Sequence, residues 1–151
     1  MKIVFSCVTM FLVMAASLLS GAAWARFEKV ADLSNVSVST DANFQVGAGR
    51  DILRTWIRLD FKEQQRFDLA PHPMQARTLL AYRSRKDYVQ VDCRRNLYGE
   101  LATQMFSEAE GKGETVFEST YLRSAMPRFA TPATHEGVIL VFLCKGIKPE
   151  P

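Results

Sequence analysis

Apolar and polar residues alternate with a period of two over Thr55 to Phe61, with Ile57, Leu59 and Phe61 on one side and Trp56, Arg58 and Asp60 on the other. That is the pattern of a half-buried strand. The alternation returns from Tyr88 to Arg94, where Val89, Val91 and Cys93 share one face and Tyr88, Gln90 and Asp92 the other. Phe27 to Leu33 and Val36 to Thr40 read as opening extended segments, closed by the polar turn Asp41-Ala42-Asn43. Leu101 to Ser107 and Glu114 to Tyr121 are strand-like arms around Glu108-Ala109-Glu110-Gly111-Lys112-Gly113, a polar, glycine-bearing stretch that predicts a hairpin. These neighbours predict a meander, the simplest way to join antiparallel strands.

Other segments are less regular. Gly47-Ala48-Gly49-Arg50-Asp51 reads as a turn, since it lacks the third glycine and following helix of a phosphate loop. Lys62 to Met74 is polar and contains Pro71-His72-Pro73, which predicts a loop. Ala76 to Lys86 fits either a short helix or a strand. At the end of the chain, Thr131-Pro132 offers an N-cap and a first-turn proline, and Gly146 and Pro149 close the segment. A helix there would place Val138, Val141, Phe142 and Lys145 along one seam, with His135 in its first turn. The run Val138 to Leu143 would also serve as a buried strand, because periodicity does not separate the two over so short a span. The expected fold class is α+β: a small antiparallel meander of about five or six strands with a C-terminal helix packed on it.

The first 25 residues change where this fold is expected to work. Met1-Lys2 is followed by an apolar run from Ile3 to Leu19 and then by Ser20-Gly21-Ala22-Ala23-Trp24-Ala25. A basic start, an apolar middle and small residues at Ala23 and Ala25 form a secretory signal, cut after Ala25 or, as second choice, after Ala23. A retained membrane helix needs roughly 20 apolar residues, and this run is shorter and interrupted by Ser6, Thr9 and Ser17. Cys7 precedes most of the apolar run, so it is not placed for lipid attachment. The expected mature chain, 26–151, suits one domain with one core, exported to the periplasm or cell surface.

Charge narrows the partners. All but one of the 19 Lys+Arg residues, and all 16 Asp+Glu, lie beyond the signal. The small positive balance makes no general case for nucleic acid. Arg83, Arg85 and Lys86, with Arg94 and Arg95, form the one local basic stretch, a possible binding patch or a solvated face.

Cleavage would leave two cysteines, Cys93 and Cys144, and in an oxidising compartment such a pair is most simply a disulfide. Its loop of about 50 residues corresponds to ~4 kcal/mol in the chain-entropy model. The rival reading makes one of them a nucleophile with His135 as base, but no neighbouring motif supports it. His72 and His135 are the only histidines, and with the two cysteines they lack the ligand spacing of a zinc site. No nucleophile-elbow sequence occurs, and Glu108 and Glu110 at a loop tip are poorly placed for acid–base work. Asn35-Val36-Ser37 fits a glycosylation sequon, which by itself assigns no function. No enzyme, metal or cofactor is expected.

The tryptophan strand Arg54-Thr55-Trp56-Ile57, the Asp92-Cys93 pair, the hairpin Gly111-Lys112-Gly113-Glu114-Thr115-Val116-Phe117, a proline before the final helix and Cys144 near the end occur in an order that resembles the surface-adhesin protein E family of Gram-negative bacteria. The resemblance covers roughly Val36 to Lys145. It implies a small antiparallel sheet with a helix tied to it by a Cys93–Cys144 disulfide. Pro132-Ala133-Thr134 stands where members often have Pro-Gly-Ser, and Phe129 where a larger aromatic is common. The resemblance further implies a non-enzymatic binding module. The family's namesake is an outer-membrane-associated lipoprotein that binds host matrix proteins such as vitronectin and laminin, and this chain carries no lipid site. The alternative is a periplasmic structural or envelope protein with bacterial partners only. Open sheet edges also make a homodimer an expectation.

Overall fold

The computed structural model describes residues 26–43, 45–47, 51–69, 78–120 and 127–145. The expected signal, the Pro71-His72-Pro73 stretch, and Gly146 with Pro149 lie outside the described residues. The chain forms β1 (Phe27–Asp32), β2 (Val36–Asp41), β3 (Gln45–Val46), β4 (Ile52–Asp68), β5 (Leu79–Asp92), β6 (Leu97–Phe106), β7 (Thr115–Thr120), β8 (Arg128–Phe129) and α1 (His135–Leu143). All strands belong to one antiparallel sheet ordered β1-β2-β4-β5-β6-β7, with β3 on β4 and β8 on β6.

The sheet thus has eight strands, not five or six. The excess is β3 and β8, two exposed residues each, too short to show any periodicity. A second correction concerns the expected loop from Lys62. β4 continues to Asp68, passing an irregularity between Asp60 and Gln65, and pairs again with β5 through Asp68↔Leu79. Backbone pairing, not side-chain polarity, makes these residues a strand. Gln65 and Phe67 still alternate inward among exposed neighbours, and Phe67 meets the Phe117 ring at 4.9 Å. The described part of the ambiguous Ala76 to Lys86 stretch resolves into β5 from Leu79 onward, since that strand lies between β4 and β6.

The alternating faces fall where the periodicity puts them. Ile57 and Leu59 of β4 and Val89 and Val91 of β5 are all buried, in one cluster with Ile139, Leu140 and Leu143 of α1. Asp92 closes the β5–β6 turn by accepting from the backbone N–H of Arg94 and of Arg95, both at 3.1 Å. The β6–β7 connection contains a 3-10 turn, Ala109–Gly111, with Gly111 and Gly113 at φ +70° and +76°. Only glycine takes up such angles without cost.

The helical reading of the tail holds, with two shifts. Its N-cap is Thr134, whose hydroxyl accepts from Gly137 N–H at 3.3 Å and donates to the Thr131 carbonyl at 2.7 Å. The face turned inward carries Gly137, Ile139, Leu140 and Leu143. Val138, Val141, Phe142 and Lys145, the expected seam, lie along the outer side, and Val141 is 72% exposed. A run that is apolar all round does not fix its own rotation. Here that rotation is fixed by Cys144, bonded to Cys93 at the end of β5 with 5.3 Å between the Cα atoms.

Gly137 is where α1 comes closest to the preceding loop. A Cβ there would stand 2.3 Å from the Thr131 carbonyl oxygen and 3.0 Å from Pro132 Cα, both backbone atoms. Alanine gains about 1 kcal/mol of helix propensity over glycine, yet the clash with fixed backbone outweighs that gain. Gly137→Ala is expected to lower stability by about 1–3 kcal/mol, read from a thermal or urea melt; an unchanged or raised midpoint would disprove this close approach.

Candidate functional site

The face of the sheet under α1 is apolar towards the disulfide and polar towards the helix N-terminus. The β5 residues Arg85, Asp87, Val89 and Val91 share that face, so the strand that builds the core also brings two charges into it. Asp87 is completely buried between Ile57 of β4 and Thr103 of β6. Its Oδ2 lies 2.8 Å from Arg85 Nη2, and its Oδ1 accepts from the Thr103 hydroxyl. Glu100 stands 3.6 Å from the same Arg85 nitrogen. Arg128 of β8 then bridges Glu100 at 3.1 Å and Glu136 in the first turn of α1 at 3.0 Å. A chain of alternating charge therefore runs from the buried centre of the sheet to the start of the helix.

Burial and pairing compete within this chain. Burial pushes the Asp87 carboxyl up to about 6, and neither Arg85 nor the Thr103 hydroxyl brings it back down. Burial pulls Arg85 the other way, but Asp87 and Glu100 more than offset it and hold the guanidinium charged. Glu136 also resists burial: the Thr134 hydroxyl, His135 and Arg128 together hold it down to about 2. His135 is lowered, chiefly by burial, and so favours the neutral ring. Its Nε2 and the hydroxyl of the fully buried Tyr98 have no hydrogen-bond partner among the described residues.

Two hollows flank α1. On one side a cleft of about 440 Å³ opens between the β1–β2 turn, the sheet and the helix N-terminus. Leu59, Phe61 and Tyr82 form its apolar wall, and Arg85, Thr134 and His135 its polar end. On the other side, Val30, Val138, Val141 and Phe142 line an apolar groove of about 530 Å³. Ala133, at φ +69°, lines both. The opposite face of the sheet is a different surface. Trp56 and Tyr88 lie with ring centres 5.2 Å apart. The Phe27 ring has Arg58 Cζ at 5.1 Å and Lys86 Nζ at 5.7 Å, and Lys86 also reaches the Phe106 ring at 4.9 Å. Burial and the nearby Arg58 both lower the Lys86 ammonium.

The basic stretch read from the sequence is distributed over these places. Arg83 is exposed and donates to the Lys62 carbonyl at 3.3 Å. Arg85 faces the helix side and Lys86 the opposite one, as neighbours in a strand must. Arg94 and Arg95 occupy the β5–β6 turn, where Arg94 Nε lies 2.6 Å from Asp51. Cys93 and Cys144 are joined, which leaves neither as a free thiolate beside His135. Among the described residues no three His, Cys, Asp or Glu side chains are grouped to hold a metal ion. Glu110 pairs with Lys112 at 2.6 Å on an exposed turn, and that contact lowers its carboxyl. Sequence reasoning missed Asp87, Glu100, Thr103, Arg128 and Glu136. The available signal was local: Arg85 and Asp87 continue the same every-second-residue series as Val89, Val91 and Cys93, so opposite charges two apart stood on a face already read as buried.

No curated protein sequence matches this chain. Among solved structures, it superposes on Haemophilus influenzae protein E in its crystal form II with a TM-score of 0.52, at 15% identity over 78% of this chain and 86% of the other. The selenomethionine form of the same protein gives 0.52 and 15%, over 80% and 86%. At that identity the likeness is one of fold. The sequence profile of the family described as surface-adhesin protein E matches residues 24–145, from before β1 to the end of α1. With that match and the disulfide-tied helix on an antiparallel sheet, the chain belongs to the surface-adhesin protein E family.

Proposed function

We propose that this chain is an exported, non-enzymatic binding module that acts at the bacterial surface and attaches to host extracellular-matrix proteins. The observation that carries the reading is the family match over 24–145, which spans every described element of the sheet and the helix. The closed Cys93–Cys144 bond supports the non-enzymatic part, because it occupies the only nucleophile the sequence suggested. The apolar groove and cleft beside α1, and the cation–aromatic face opposite, offer surfaces of the kind that protein partners use. The leader ending at Ala25 would deliver the chain to the envelope.

The test uses the secreted protein over immobilised vitronectin and laminin, with serum albumin as the blank. Saturable binding in the micromolar range or tighter is expected. Exposed Arg83 is the residue of the basic stretch to change first, and Arg83→Glu is expected to weaken binding with no change in melting temperature. Binding no better than to albumin would end the matrix reading, and recovery of the protein only from the periplasmic fraction would end the surface reading.

A further inference from the structure

The cleft at the start of α1 combines an apolar wall and a polar end, as a recognition pocket does. We infer that it takes one aromatic or large aliphatic side chain of a partner peptide, with the neutral carbonyl next to that side chain meeting the donors at the helix end. The inference deepens the binding-module reading, on which it relies only for the source of the peptide.

Shape and lining argue for the side chain. The cleft holds about 440 Å³, within the range of about 300–1,000 Å³ typical of small-molecule pockets. Leu59 forms part of its wall, and Phe61 and Tyr82 meet edge to face at 5.6 Å. Aromatic walls of this kind favour a further ring against them. The polar end argues for the carbonyl. Among the described residues no carboxylate lines the cleft, whereas Arg85 and His135 do, so the lining offers their side-chain donors at the positive end of the helix dipole; the Thr134 hydroxyl proton is already given to the Thr131 carbonyl.

The charge behind the lining argues that this acceptor is neutral. Arg85 already faces Asp87 at 2.8 Å and Glu100 at 3.6 Å, and Arg128 is shared by Glu100 and Glu136. Three carboxylates thus surround two guanidinium groups, and burial favours the neutral form of His135. An incoming carboxylate would add to an excess of negative charge, whereas a peptide carbonyl would not. The same argument separates an internal peptide residue from a free chain end.

The experiment titrates the isotope-labelled secreted protein with N-acetylphenylalaninamide, and in parallel with N-acetylphenylalanine and N-acetylglycinamide, following backbone amide signals. The amide is expected to move the signals of Phe61, Thr134 and His135 saturably, with a dissociation constant of about 1 mM, as suits so small a ligand. The carboxylate should bind at least about threefold more weakly, and the glycine compound should move nothing. Ser34→Trp, at an exposed rim position of the cleft, should weaken the amide by about tenfold or more by occupying its place. Val141→Ser, on the other side of α1, should leave it unchanged. The inference is overturned if no signal saturates, if the carboxylate binds more tightly, or if Val141→Ser abolishes binding while Ser34→Trp does not. Fragment binding without matrix binding would remove the host partner and keep the pocket. Matrix binding that survives Ser34→Trp, with no fragment binding, would keep the adhesin and remove the pocket.

Discussion

Replacing both cysteines, Cys93→Ala with Cys144→Ala, is expected to lower stability by about 3 kcal/mol, and the melting temperature by about 10 °C. The bond closes a separation of 51 residues and ties the C-terminal end of α1 covalently to the sheet, where the backbone joins only its N-terminal end. A helix of nine residues is too short to persist in water alone, since about 12–15 residues are marginal even for good formers. What holds it must come from packing and tethers. At its N-terminal end the tether is the Arg128 bridge to Glu136 and Glu100, with Arg128 largely exposed. Exposed ion pairs contribute about 0–1 kcal/mol, so this bridge does not substitute for the disulfide. Burial of Ile139, Leu140 and Leu143 contributes more, about 1.5–3 kcal/mol for each side chain. The variant should therefore fold with α1 still docked but opening from its C-terminal end. Hydrogen exchange should show it: Leu143 and Cys144→Ala lose protection while Val89 and Val91 keep theirs. A loss below about 1 kcal/mol, with protection retained throughout α1, would mean that burial alone holds the helix.

What the sequence showed of the fold followed from which forces leave a periodic trace. Thr55 to Phe61 and Tyr88 to Arg94 were legible because one face of each is buried and the other is not. The hairpin at Glu108 to Gly113 was legible because its glycines answer a local backbone demand. The stretch from Lys62 to Asp68 was not, since it is a strand by virtue of partners more than ten residues away and only Gln65 and Phe67 on its inner face are half-buried. The rotation of α1 was invisible for the reverse reason: Val138 to Leu143 is apolar on every side, and only the bond at Cys144 and the close approach of Gly137 choose the inward face. The polar end of the site was half legible. Arg85 stands out in the sequence for its charge among other basic residues, but its meaning comes from the buried Asp87 two positions on and from Glu100 across the strand pair. A basic run in one dimension became separate places in three, because successive side chains of a strand point to opposite faces.

Arg85→Met should show that difference most sharply, costing about 3–5 kcal/mol near pH 7.5 and clearly less near pH 5. Methionine keeps much of the volume of the arginine stem, so the main change is electrical. Asp87 would be left fully buried with the Thr103 hydroxyl as its remaining close polar partner. In the native protein burial already lifts its pKa from 3.8 to about 6. A folded-state value above the unfolded one means that the native state binds the proton more readily. Ionising Asp87 therefore reduces stability as pH rises from about 4 to 6, and the reduction stays constant above that window. Without Arg85 the folded value climbs further, the window extends towards neutrality, and the reduction at pH 7.5 grows. Near pH 5 the side chain is protonated and needs no counter-charge. Glu136 acts with the opposite sign: held down to about 2, its contribution is complete above the ordinary 4.5 and is lost only as pH falls from there towards 2. Comparing proteins at pH 5 and above keeps Glu136 out of the difference. His135, lowered by burial, contributes stability above 6.5 that is lost as pH falls through its folded value. It does so in both proteins, and its coupling to Arg85 ranks behind burial. Adding Asp87→Asn to Arg85→Met should then recover a large part of the loss near pH 7.5 and little near pH 5, measured by urea unfolding at each pH. Equal losses at the two pH values, or no recovery on adding Asp87→Asn, would mean that Arg85 holds the sheet to α1 by filling space and not by neutralising the buried carboxylate.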